Sequence, residues 1–249
     1  MIENKIKYYY SKFEDIYNDT NYPKWFQFTN DHNEKFGELG YTCNCRFCPG
    51  SRINAKVEHE LGHYAILQTP LHEDVKIVIV GNNNSWFDES CGDKALKAVK
   101  SLKDDIPTRN FYTEGKSGLS KSLIKAFKAA EASQLLKNNT VGLNRTWLQT
   151  GGSSANISKM KEKRIGMPSL VDTCHVWTEE IITIIKPQLV LLLGGEAQKL
   201  FNNQKGDAHE KGSFFIQHCR HPSHGGQAEF TQNLKDGLTQ YVKRKSRFL

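Results

Sequence analysis

Four short apolar runs are spaced along the chain, and each of them ends in small or polar residues. β-Branched and leucine-rich runs of this length, bounded by Gly, Asn or Pro, are typical of strands buried in a parallel sheet. The pattern therefore predicts four strands, at residues 75–80, 141–148, 188–193 and 213–217.

Stretches with helical periodicity separate these runs, and the pattern over residues 1–40 indicates a helix and a loop. Strands that alternate with helices predict a parallel α/β sheet in three layers. We expect one domain over residues 43–249, preceded by an extension over residues 1–42. The predicted helices cover residues 55–67, 93–103, 119–136, 170–186, 196–202 and 229–244.

Polar residues follow the first and the last of the predicted strands. The first strand is expected to end in a turn at Gly81-Asn82-Asn83-Asn84, and the last is followed by His221-Pro222-Ser223. The second strand is expected to end near Asn144. Because open α/β sheets place their sites at the carboxyl ends of the strands, we predict a reaction centre between these carboxamides and this imidazole.

The composition is that of a soluble globular protein. Of the 249 residues, 38% are hydrophobic and 24% are charged, which argues against a disordered chain. No apolar stretch approaches the roughly 20 residues that a membrane-spanning helix needs, and the first residues lack the apolar segment of a signal peptide. We expect a cytoplasmic monomer without a membrane partner.

The charge balance allows two interpretations. A formal net charge of +7 favours polyanionic partners such as nucleic acid, but it also serves solubility alone. Basic residues cluster before Pro168 and again at residues 243–247. Such clusters often contact phosphates, although a solvated face has the same composition. The first cluster contains Lys159, Lys161, Lys163 and Arg164.

The six cysteines are unevenly distributed. Cys43, Cys45 and Cys48 are crowded together, whereas the other three are scattered. Without a secretory signal a disulfide framework is not expected, and the crowding indicates a metal ion or a cluster. Zinc bound by these three thiolates with His59 or His63 is one possibility, and ordinary free thiols are another.

A second motif favours a different enzyme class. His59-Glu60-Leu61-Gly62-His63 has the HExxH spacing of zinc metallopeptidases, in which two His on one helical face bind zinc and the Glu is the base. A third metal ligand and a substrate-binding edge strand are not evident in the sequence. A zinc metallopeptidase is therefore kept as the alternative enzyme hypothesis.

Four landmarks occur in a fixed order along the predicted strands: Gly-Xaa-Asn at residues 81–83, Asn144, Gly-Gly-Glu-Ala at residues 194–197, and His-Pro-Ser at residues 221–223. In this order they resemble the uracil-DNA glycosylase superfamily, over about residues 43–242. The resemblance implies a short four-stranded parallel sheet between layers of helices. It also implies hydrolysis of the N-glycosidic bond of a pyrimidine that has been flipped out of DNA.

The resemblance implies roles for single residues. Asn83 would orient the attacking water, since a carboxamide cannot accept a proton at neutral pH. His221 would stabilise negative charge at the O2 of the departing base, and Asn144 would read the base through its amide. Further base-binding candidates are Gly81, Asn82, Trp86 and Phe87, and the DNA-binding candidates are Lys163, Arg164, Ser223, His224 and Gln227.

One departure from the superfamily concerns the substrate. The uracil-specific branch has Pro-Tyr after its catalytic Asp, and the Tyr excludes a C5 methyl group, whereas this chain has Asn84-Ser85. A small Ser leaves room for a bulky 5-substituted pyrimidine, so repair of deaminated cytosine and defence against modified foreign DNA both stay open. An inactive relative that only binds DNA is the third hypothesis, because Asn83 replaces a catalytic Asp.

The cysteine segment has a counterpart in the same superfamily. Cys45-Arg46-Phe47-Cys48, followed by Arg52, is similar to the Cys-x2-Cys opening of the iron–sulfur uracil-DNA glycosylases. This resemblance implies a structural [4Fe–4S] cluster on Cys43, Cys45, Cys48 and Cys174. Cys43 would replace the ligand expected where Leu148 stands. Structural zinc is the alternative.

Overall fold

The computed structural model describes residues 2–18, 66–84, 110–149, 170–202, 209–222 and 226–247. In these ranges one sheet has the strand order β2-β1-β3-β5-β4. Four strands are parallel, and β4 pairs antiparallel with β5 at the edge. The four predicted parallel strands are confirmed, and β4 is a fifth that was not predicted. The strands are β1 (Ile77–Asn84), β2 (Thr140–Gln149), β3 (Leu189–Leu193), β4 (His209–Lys211) and β5 (Phe214–Cys219).

Helices cover both faces of this sheet and produce an α/β fold. The helices Gly118–Ala129, Leu170–Ile185 and Gln227–Arg247 bury one apolar face toward the strands, and the helix Ile2–Asn18 packs against the helix Leu170–Ile185. In the described ranges, α5 (Gly194–Ala197) is a single turn that follows β3 directly, and a 3₁₀ turn at Leu200–Asn202 comes after it. The helices are α1 (Ile2–Asn18), α2 (Gly118–Ala129), α3 (Ser133–Asn138), α4 (Leu170–Ile185), α5 (Gly194–Ala197) and α6 (Gln227–Arg247).

Alternation along the strands divides the core into two layers. In β1, Val78 and Val80 belong to the layer that contains residues of α1 and α4. Ile77 and Ile79 belong to the layer that contains residues of α2, α3 and α6. Successive side chains of a strand point to opposite faces, so β3 and the apolar first half of β1 support helices on both sides. The predicted three-layer arrangement is confirmed for the described residues.

β1 and β2 continue past the polar residues at which each strand was expected to end. Residues 81–84 were expected to form a turn, but they continue β1 and pair with β2, with Gly81 opposite Asn144 and Asn83 opposite Thr146. β2 likewise continues past Asn144 to Gln149. The polar residues stay in the sheet because each strand supplies backbone hydrogen-bond partners to the other. Asn144 therefore lies within a strand rather than at its end.

Two predicted helices differ from the observed ones. The helix expected at 119–136 is interrupted after Ala129, where Glu131 has a positive φ of 55°, and it resumes as α3. The helix expected at 196–202 is replaced by α5 and the 3₁₀ turn, where Phe201 has a φ of 63°. Neither break occurs at Gly or Pro, so the usual sequence signal is missing.

The other predicted helices fall partly or wholly outside the described residues. The helix at 93–103 lies outside them, as does the helix at 55–67 except for its last two residues. There, Leu67 forms an antiparallel bridge with Leu143 of β2. The helices predicted at 170–186 and 229–244 are confirmed as α4 and α6. None of the helices in the described ranges combines the length and hydropathy needed to cross a bilayer.

Candidate functional site

Gly81 and Asn144 are packed directly against each other on neighbouring strands. They are register partners in β1 and β2, and a Cβ atom on Gly81 would lie 2.9 Å from Oδ1 of Asn144. That distance is too short for an ordinary contact, so a side chain at position 81 would displace the amide. Asn144 is only 4% exposed, and the absence of a side chain at Gly81 gives its amide a defined place on the sheet.

Hydrogen bonds from α4 hold the backbone of this part of β2. The Thr178 hydroxyl donates to the carbonyl oxygen of Asn144 at 3.1 Å, and it accepts from Nε1 of Trp147 at 3.1 Å. Trp147 and Thr178 are both fully buried. Because a buried and satisfied network is rigid, Asn144 is fixed through its backbone as well as through its contact with Gly81.

His221 lies beside the end of β3. It comes two residues after β5, and a Cβ atom on Gly194 would lie 3.7 Å from Cβ of His221. Gly194 directly follows β3 and has a φ of 77°, a conformation that favours glycine. His221 is half-buried. The imidazole therefore belongs to the carboxyl edge of the sheet, beside the turn that connects β3 with α5.

Asn83 lies at the same edge, as the penultimate residue of β1. Its side chain is outside the described part of the structure, but its backbone is paired with Thr146 of β2. β3 separates β1 from β5 in the sheet. Strands are spaced about 4.8 Å apart, so β1 and β5 are about 10 Å apart at the edge. A nucleotide could lie across that interval.

A network of charged side chains stabilises the carboxyl edge of the sheet. The sequence did not predict this network. Nη1 of Arg145 is 2.8 Å from Oε2 of Glu196, and the two side chains are 3% and 19% exposed. Glu196 also pairs with Lys199, at 2.7 Å from Oε1. The bridge joins β2 to α5, so it ties the strand that carries Asn144 to the turn beside His221.

The same arginine extends the network to α4. Nε of Arg145 donates to Nδ1 of His175 at 3.4 Å, and Nε2 of His175 lies 2.9 Å from Oε1 of Glu179. An imidazole that accepts at Nδ1 carries its proton at Nε2, so His175 donates to Glu179. Glu179 also accepts from the backbone N–H of Phe201. Four separate chain segments are joined in this way.

The sequence of β2 contains part of the information needed to predict this network. Val141, Leu143 and Trp147 of β2 contribute to the core on the α4 side, and Arg145 occupies the same alternating register. A cation at such a position requires a buried partner. The sequence alone did not identify Glu196, which is separated from Arg145 by 51 residues.

Among the other predicted residues, Gln227 is described and already engaged. Its Nε2 donates to the carbonyl oxygen of Ser122 at 3.1 Å and to Oγ1 of Thr231 at 3.3 Å, so contact with DNA through this amide requires both bonds to break. Asn82 is half-buried in β1. The remaining candidates lie outside the described residues: Trp86, Phe87, Lys163, Arg164, Ser223, His224, Cys43, Cys45, Cys48 and the His59–His63 motif.

Cys174 is the predicted metal ligand that the structure describes. It is a fully buried free thiol on α4, and burial raises its pKa to about 12, against the opposing effects of the Trp147 backbone and the Arg145 charge. An N–H donor and a nearby cation suit a thiolate ligand. Within the described ranges, no group of three or more His, Cys, Asp or Glu residues could hold a metal ion, and the three partner cysteines lie outside them.

A scan against models of protein families matches none of them, and a search of curated proteins finds no match either. The chemistry available at the carboxyl edge of the sheet is therefore inferred from its residue types. A buried amide, a half-buried imidazole and the backbone of a second asparagine share one edge of a parallel sheet. The amide can read a planar polar ligand, and the imidazole can donate a proton or a hydrogen bond to it.

Proposed function

We propose that this protein is a DNA glycosylase of the uracil-DNA glycosylase superfamily. In this proposal it hydrolyses the N-glycosidic bond of uracil or a 5-modified pyrimidine flipped out of DNA, and it leaves an abasic site. One observation carries the proposal: two of the landmark motifs lie in the neighbouring strands β1 and β2, and the other two begin directly after β3 or two residues after β5, in the same parallel sheet. Gly81 packs against Asn144, and Gly194 lies beside His221.

Asn144 is proposed to recognise the base. Its amide offers one donor and one acceptor, the combination required by the polar edge of a pyrimidine. Recognition of this kind is selective only when the amide is held in a fixed place. The close packing on Gly81 and the bond from Thr178 to the backbone support that requirement. The target base must leave the stack to reach such a site.

Asn83 and His221 are proposed to carry out the chemistry. Breaking the bond between base and sugar gives an oxocarbenium-like sugar and an anionic base. Asn83 orients a water molecule, which suffices because the sugar cation is a strong electrophile. His221 donates a hydrogen bond to the oxygen of the base where negative charge develops. The interval of about 10 Å between β1 and β5 is consistent with these groups acting on opposite ends of one bond.

DNA is the proposed partner, and a single copy of the chain is proposed to act on it. The net charge of +7 supports contacts with phosphates, which would weaken as salt concentration rises. Lys163, Arg164, Ser223 and His224 are the candidates for these contacts. Gln227 is a weaker candidate, because its amide already joins α6 to α2.

A [4Fe–4S] cluster is proposed as a structural cofactor, held by Cys43, Cys45, Cys48 and Cys174. Such a cluster would tie the N-terminal cysteine segment to α4 and would take no part in the hydrolysis. We expect protein purified without oxygen to contain about four iron atoms per chain and to lose them in the variant Cys174→Ala. Stoichiometric zinc in place of iron would support the alternative metal.

The function is tested by incubating the protein with duplexes that each contain one modified base. The panel consists of uracil, 5-hydroxymethylcytosine, glucosylated cytosine and unmodified cytosine, and abasic product is detected by alkaline cleavage of the strand. We expect an abasic site in at least one modified duplex and none in the unmodified control. Binding to every duplex without any abasic product would instead support the inactive relative.

A further inference from the structure

One face of β2 carries a row of alternating residues that leads to the carboxyl edge. Thr140, Gly142, Asn144 and Thr146 are two positions apart and share a face, while Val141, Leu143 and Trp147 pack into the core on the other side. The Tyr112 ring covers the glycine so closely that a Cβ atom on Gly142 would lie 2.6 Å from it. The next two residues in the row are polar.

The two threonines of this row have different environments. Both are fully buried. The hydroxyl of Thr140 donates to the carbonyl oxygen of Leu135 at 2.8 Å, whereas Oγ1 of Thr146 has no hydrogen-bond partner among the described residues. A buried hydroxyl without a partner is costly. Thr146 therefore keeps a polar group at a position where an apolar side chain of the same shape would be more stable.

The location of Thr146 suggests what its partner is. Thr146 is the register partner of Asn83 and lies two residues beyond Asn144. Two residues of a strand advance about 6.6 Å, which is more than the spacing between exocyclic groups on a pyrimidine, and the reach of the longer Asn144 amide makes up the difference. Asn144 and Thr146 can therefore contact two different polar positions of one base.

We propose that Thr146 is a specificity-determining residue whose hydroxyl hydrogen-bonds to the same pyrimidine that Asn144 holds. This inference rests on the proposed glycosylase function and goes beyond it by naming a second base contact. A hydroxyl donates or accepts, so it pairs with either a carbonyl or an amino group. It rejects a base that presents only an apolar group at that position, since the buried hydroxyl would then stay unsatisfied.

The test compares Thr146→Val, which keeps the shape and removes the hydroxyl, with Thr146→Ser, which keeps the hydroxyl. The probe is the free base released from the duplex that the wild-type protein cleaves fastest, used as an inhibitor of excision. We expect Thr146→Val to weaken inhibition about tenfold, the loss of one hydrogen bond, and to leave Tm unchanged or higher. Thr146→Ser should be inhibited nearly as well as the wild type.

Thr140→Val is the matched control on the same face of the same strand. It should lower Tm because it removes the buried hydrogen bond from the hydroxyl to the carbonyl of Leu135, which keeps only its bond from the Asn139 N–H, and it should not change inhibition by the free base. Equal inhibition of Thr146→Val and wild type would overturn the inference alone. A marked loss of Tm in Thr146→Val would overturn it as well, by showing a structural partner for the hydroxyl. No abasic product from the wild type would overturn the proposed function and this inference together.

Discussion

Replacing His221 with alanine is expected to slow base excision about 100- to 1000-fold, the usual effect of removing one donor that stabilises developing negative charge. His221 follows β5 and lies beside Gly194 at the carboxyl edge, the edge at which the proposed mechanism places the base. Single-turnover rates on the most reactive duplex measure the effect. Binding of the duplex should change little, because the imidazole acts mainly after the base has been flipped.

Two further variants sharpen this prediction. His221→Gln keeps a hydrogen-bond donor and should recover part of the rate. His72→Ala is the control, since His72 is also half-buried but lies in the segment before β1, and it should keep the wild-type rate. If His221→Ala and His72→Ala cleave equally fast, the assigned role of His221 is wrong.

The variant Arg145→Met is expected to lower the free energy of unfolding by about 3–5 kcal/mol, the typical cost of breaking a buried ion pair. The arginine side chain is 3% exposed and lies 2.8 Å from Glu196, and its Nε donates to His175. The variant leaves a carboxylate and an imidazole that have lost their shared donor. Urea denaturation measures the change, and a fall in Tm of roughly 6–20 °C should accompany it for a chain of this size.

Lys199→Met provides the matched control for this network. Lys199 pairs with the same carboxylate but is 52% exposed, so its removal should cost less than about 1 kcal/mol. The double variant Arg145→Met with Glu196→Gln should recover part of the loss, because it removes a largely buried carboxylate that has lost its arginine partner and keeps only Lys199. Equal costs for Arg145→Met and Lys199→Met would contradict a structural role for the buried bridge.

The parallel strands could be predicted because their signal is local. Runs such as Ile77–Val80 and Leu189–Leu193 are apolar on both faces, a pattern expected of a strand that helices cover on both sides. β4 lacks that signal, because His209–Lys211 is polar and short. It forms only through its pairing with Phe214–Ile216.

The positions where strands end were harder to predict. Glycine and asparagines normally favour a turn, yet Gly81–Asn84 stays in β1 because β2 runs alongside it. The break at Glu131 is similar, since nothing in the local sequence requires a positive φ there. In both places tertiary packing decides the conformation. The local sequence carries no information about that packing.

The candidate site was predicted in part. Gly81 and Asn144 were both proposed from the sequence, and the structure brings them into contact. The roles given to Asn83 and His221 stay predictions. Neither the network around Arg145 nor the buried hydroxyl of Thr146 was predicted, since each depends on which distant residues are, or are not, within reach. Which residues surround these two side chains is known only from the folded structure.

Mass spectrometry of both reaction products tests the central claim most directly. After incubation with the most reactive duplex, we expect the free, chemically intact pyrimidine in solution. We also expect an uncleaved strand whose mass has fallen by the base and gained one water. Strand fragments, a covalent adduct between protein and DNA, or strands of unchanged mass across the whole panel would contradict hydrolysis of an N-glycosidic bond.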